Sequence, residues 1–75
     1  MQIRLSRHAR RRIRLYGISP SVISEVLTGR KITQGSQEVV ADVVGLAYPL
    51  KIVVFRKGDT ATVVTAYPLK RGVGR

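Results

Sequence analysis

Near Lys31 the apolar residues of this 75-residue chain change their spacing, and that change decides which elements can form on either side of it. Before it, Ala9, Ile13 and Tyr16 stand at i, i+4 and i+7, and the pairs Val22/Val26 and Ile23/Leu27 repeat at i, i+4. Such spacing gathers side chains on one face of an α-helix. Each run carries its own start and stop. Ser6 can cap the first helix with its hydroxyl and Gly17 can end it; Ser19 followed by Pro20 pairs an N-cap with a favourable first position, and Gly29 closes the second helix. The short link between them predicts an αα-hairpin.

After Lys31 the period falls to two. Residues 31–33 read as a short strand, 37–44 as a Val-rich strand bounded by Gly35 and Gly45, and 50–56 as a β-branched strand after Pro49. Lys57, Gly58 and Asp59 supply a turn into a last strand over 60–67, and Pro68 ends the ladder. Two helices followed by strands predict a single α+β domain over 1–75: an N-terminal helical hairpin on one face of a three- to four-stranded antiparallel sheet, with 70–75 as a flexible basic tail. Strict alternation puts Ala61, Val63, Thr65 and Tyr67 on one face of the last strand. One sheet face must pack on the helices, which leaves the other as a platform.

Charge narrows the function. Fourteen Lys and Arg stand against four Asp and Glu, a formal net charge of +10. A field of that strength concentrates anions, and the Arg fork grips phosphate with two parallel hydrogen bonds. The competing explanation is a solubilising surface, or a cationic face masked by an acidic partner. With no Cys and one His, neither a disulfide nor a zinc site can be built, and no cofactor is implied. The N-terminus alternates basic with apolar residues and lacks the apolar run of a signal peptide; no segment approaches a membrane span. A cytoplasmic protein is expected. A chain of this size buries only about 60% of the surface its unfolded form exposes, so a homodimer contact would add materially to its stability.

Histidine is the side-chain type that suits proton transfer near neutrality; His8 is the one histidine of the chain, and Arg12 follows one helical turn later. Together they suit metal-free RNA cleavage, in which a base takes the proton of the ribose 2′-hydroxyl while cations hold the phosphate it attacks. Thr65 and Tyr67, two apart on a strand, could donate hydrogen bonds or a proton to the same phosphate, although both residue types are also ordinary strand formers. Arg7, Arg10, Arg11 and Arg14 form a basic helix face, and Arg30, Lys31, Lys51, Arg56, Lys57, Lys70 and Arg71 extend the phosphate track. Four separated carboxylates do not make a metal-dependent nuclease.

Ser6-Arg7-His8-Ala9 with Arg12, Tyr16-Gly17-Ile18-Ser19, Val26-Leu27 and Val63-Val64-Thr65-Ala66-Tyr67-Pro68 together resemble a family of small bacterial domains of unknown function. That family is similar in turn to RelE-like toxins and to the metal-independent RNases that include barnase and the colicin tRNases. The resemblance implies a helical hairpin on a twisted antiparallel sheet, with a cleft shared by the first helix and the late strands, and it points to His8, Arg12, Thr65 and Tyr67. Two functions are therefore expected in competition. The first is a toxin-like endoribonuclease, with an antitoxin partner and RNA, on or off the ribosome, as substrate. The second is a non-catalytic basic module that binds RNA, the ribosome or DNA.

Overall fold

Both helices begin and end on the expected chemistry. In the computed structural model, which describes residues 1–69, Ser6 caps helix α1 (Arg7–Leu15) and accepts the amide of Ala9 at 3.0 Å. Ser19 caps α2 (Pro20–Thr28), with Pro20 at its first position and Gly29 as its C-cap. The strands are β1 (Gln2–Leu5), β2 (Gly35–Ala41), β3 (Leu50–Lys57) and β4 (Thr60–Pro68). Gly58 takes a positive φ of 62° at the first position of the two-residue β3–β4 turn, as a II′ connection requires.

The order of elements corrects the sequence-based expectation of an N-terminal helical hairpin on an antiparallel sheet. A strand comes first and the two helices follow it, and the sheet is mixed: its order is β1-β4-β3-β2, with β1 parallel to β4 and the other neighbours antiparallel. The physical reason lies in Gln2, Ile3, Arg4 and Leu5. Their alternation is a genuine period-2 signal, but four residues abutting an arginine-rich helix merge into its basic–apolar pattern. They form a strand because β4 offers a partner edge far away in sequence.

Two strand boundaries also differ. Residues 31–33 are not a strand: Ile32 alone turns into the core at 3% exposure, while the side chain of Gln37 accepts the amide of Thr33 at 3.1 Å and donates to its carbonyl. A side-chain amide thus takes the place of a ladder partner. β2 starts at Gly35 and stops at Ala41; Val43 and Val44 belong to the loop that turns at Gly45 with φ 95°.

The third correction matters most for function. Val54 stands opposite Val63 but Val53 stands opposite Thr65, so Val64 is an extra residue and β4 carries a bulge. The face of β4 changes parity there. Ala61 and Val63 point inward before the bulge and Ala66 after it, each fully buried, whereas Thr65 and Tyr67 point outward. The inner face is completed by Leu50, Ile52 and Val54 of β3 and Val39 of β2, and is covered by Ala9, Ile13, Ile18, Ile23, Leu27 and Ile32. Full burial of each large aliphatic side chain favours folding by roughly 1.5–3 kcal/mol. Helix α1 runs closest to β4 and then to β1.

Candidate nucleic-acid interface

With Ala9 and Ile13 fixed in the core, helical spacing assigns every other α1 side chain to a flank. Arg10 and Arg14, four apart, share one flank; His8 and Arg12, four apart, share the other; Arg7 and Arg11 lie on the solvent side. All are exposed except Arg12, which is half-buried. The helix contains no acidic residue, and the ion pairs among the described residues, the Met1 amino group with Asp59 and Lys51 with Glu38, lie elsewhere. Arg7/Arg11 and Arg10/Arg14 are like-charged i, i+4 pairs, each of which disfavours the helix by about 0.2–0.5 kcal/mol. Arg7 also opposes the positive end of the helix dipole. A bound polyanion would relieve both penalties.

The C-terminus of α1 shapes a cleft beside these arginines. Gly17, with φ 70°, donates to the Arg14 carbonyl at 3.1 Å, and Ile18 donates to the Ile13 carbonyl at 2.8 Å. This is a Schellman closure, and it brings the side chains of Ile13 and Ile18 together. They floor a cleft of about 360 Å³ where the end of α1 joins the start of α2, rimmed by Arg10, Arg14, Gly17, Ser19 and Pro20.

The four residues expected to form a catalytic centre fall into two groups on different elements. His8 and Arg12 ride on α1, which covers the inner face of the sheet, whereas Thr65 and Tyr67 point from the outer face. Arg12 is engaged locally: Nη2 donates to the Tyr16 hydroxyl at 3.1 Å, the guanidinium lies 5.5 Å from the Tyr16 ring centre, and its buried Nε has no partner. Tyr67 belongs to a different group. It stands opposite Lys51, whose ammonium is 5.9 Å from its ring centre and 3.1 Å from the Glu38 carboxylate. The hydrogen bond to Glu38 holds the Lys51 pKa above its ordinary 10.5, against the opposing effect of desolvation, with Tyr67 adding to the rise.

The remaining expected phosphate contacts divide similarly. Arg56 is committed to structure: Nε donates to the Gly58 carbonyl at 2.9 Å and Nη1 to the carbonyl of Ile32, tying the β3–β4 turn to the chain entering β2. Lys51 is held by Glu38. Lys57 is exposed at the end of β3, and Arg30 and Lys31 are exposed just beyond α2. Lys70 and Arg71 lie outside the described residues. Sequence reasoning missed Arg4, exposed on β1 opposite Thr62, because β1 itself was missed. It also missed the floor of the cleft: Ile18 sits between the helices and joins neither periodic pattern.

Among the described residues, no helix is long and apolar enough to cross a membrane, and no three His, Cys, Asp or Glu side chains cluster as metal ligands would. No protein-family model, curated protein or solved structure matches the chain.

Proposed function

We propose that the protein is a cytoplasmic RNA-binding module whose α1 helix grips the phosphate backbone. The observation that carries this reading is the set of four exposed arginines, Arg7, Arg10, Arg11 and Arg14, on a helix with no carboxylate, held in mutual repulsion within the protein. Arginine rather than lysine suits bidentate phosphate contact. The lack of cysteine agrees with a reducing compartment. RNA binding is favoured over cleavage because it needs only the exposed arginines of α1, whereas cleavage needs His8 and Arg12 on α1 to meet Thr65 and Tyr67, whose side chains leave β4 on the face opposite the core.

The test is incubation of labelled single-stranded RNA with the wild-type protein and with His8→Ala, read on a denaturing gel and a native gel in parallel. Intact RNA that is shifted equally by both proteins is the expected result. Cleavage that is lost in His8→Ala would replace this reading with the toxin-like endoribonuclease.

A further inference from the structure

We infer that the cleft at the junction of α1 and α2 is a subsite for one unstacked nucleotide of an RNA strand, its phosphate between Arg10 and Arg14 and its base over Ile13 and Ile18 against Pro20. The inference rests on the RNA-binding reading and adds a site to it. Three properties of the cleft point to this class of ligand. Its volume of about 360 Å³ lies at the small end of ligand pockets, which run from about 300 to 1,000 Å³. Its floor is apolar and nearly closed, with Ile13 and Ile18 at 2% and 7% exposure, so a planar base would lie over them against the exposed Pro20 ring. Its rim carries two guanidinium groups one helical turn apart and no carboxylate.

The N-terminus of α2 is not the anchor. The Ser19 hydroxyl already accepts the Ser21 amide at 3.2 Å and shares a hydrogen bond with the Ser21 hydroxyl at 2.8 Å, so that end of the helix is capped from within. The cations come from α1 and the apolar floor from the Schellman closure. A free anion would use only the rim, whereas a nucleotide uses rim and floor together. Duplex RNA holds its bases paired and stacked, so the subsite selects single strands, loops or ends. His8 and Arg12, on the opposite flank of α1, take no part.

Methyl and amide spectra of the full-length isotope-labelled chain separate the outcomes, with uridine 5′-monophosphate, inorganic phosphate, a single-stranded hexauridylate and a blunt RNA duplex as probes. The expected result is that the monophosphate and the hexamer shift the Ile13 and Ile18 methyls and the Gly17 and Ser19 amides, while inorganic phosphate and the duplex leave the two methyls in place. The exposed-residue variant Arg10→Gln/Arg14→Gln should bind the monophosphate at least about tenfold more weakly, the loss expected for hydrogen bonds to a charged group. Equal effects of monophosphate and inorganic phosphate on the methyls would overturn the base site. A hexamer that binds without moving Ile13 and Ile18 would overturn the subsite and leave RNA binding intact. A hexamer that does not bind even at low salt would remove the RNA-binding reading, and the subsite with it.

Discussion

The hydroxyl of Ser6 donates to the carbonyl of Val64 at 2.8 Å, so the residue that caps α1 also holds the bulge of β4. Its backbone amide reaches the Val63 carbonyl at 3.0 Å. One serine thus fixes both where the basic helix starts and where β4 changes face. Ser6→Ala should lower stability by about 1 kcal/mol, at the centre of the range for a lost N-cap. In thermal unfolding that is a fall of roughly 4–8 °C for a domain of this size. Ser6→Thr keeps the oxygen and should recover most of it.

Gly17 makes the second prediction. A Cβ at this position would meet nothing within 4 Å, so any cost of Gly17→Ala is conformational and comes from φ 70° alone. The left-handed region costs a residue with a Cβ roughly 1–2 kcal/mol. Chemical denaturation should show that loss with an unchanged slope, and Gly17→Asn should lose less. Because Gly17 and Ile18 close the cleft, Gly17→Ala should also weaken nucleotide binding more than Gly29→Ala, whose Cβ meets only ordinary contacts at 3.6 and 3.9 Å.

A stability–binding trade-off follows from α1. Arg11→Glu replaces a repulsive i, i+4 pair with Arg7 and a repulsive i, i+3 pair with Arg14 by attractive ones. Each exchange favours the helix by a few tenths of a kcal/mol. The variant should melt higher than wild type in low-salt buffer and bind RNA more weakly. Added salt should narrow the difference in melting, because the Debye length shrinks to about 10 Å at 0.1 M.

The outer face predicts a pH effect of its own. Glu38 raises the Lys51 pKa above 10.5, so the pair contributes its full stabilisation below pH 10.5 and loses it as pH rises through the raised value. Titration of the Lys51 side chain by NMR should give a midpoint above 10.5 that moves down in Glu38→Gln. An unchanged midpoint in that variant would remove Glu38 as the cause.

Much of this fold was legible in local chemistry. Ser6, Gly17, Ser19, Pro20 and Gly29 marked the helix ends because capping is a short-range effect, and Gly58 marked the tightest turn for the same reason. The misses are long-range. β1 exists because β4 lies beside it in space, some sixty residues later in the chain, and the bulge at Val64 exists because β4 must meet both β3 and the Ser6 cap. Strict alternation therefore placed Thr65 and Tyr67 with Ala61 and Val63, and a single extra residue moved them to the other face. The arginines of α1 were legible as a surface; the flank each one occupies became clear once Ala9 and Ile13 were fixed in the core.

The salt dependence of affinity for single-stranded RNA tests the central claim most directly. If Arg7 and Arg11 each neutralise a phosphate and Arg10 and Arg14 share one, log K should fall with log salt concentration with a slope at least as steep as about −2, since single strands give roughly −0.7 per contact. Replacing all four by Gln leaves a net charge of +6 (10 − 4), so the slope should become clearly shallower without vanishing. A slope that is flat in the wild type, or unchanged in the fourfold variant, would contradict the assignment of α1 as the phosphate-binding helix.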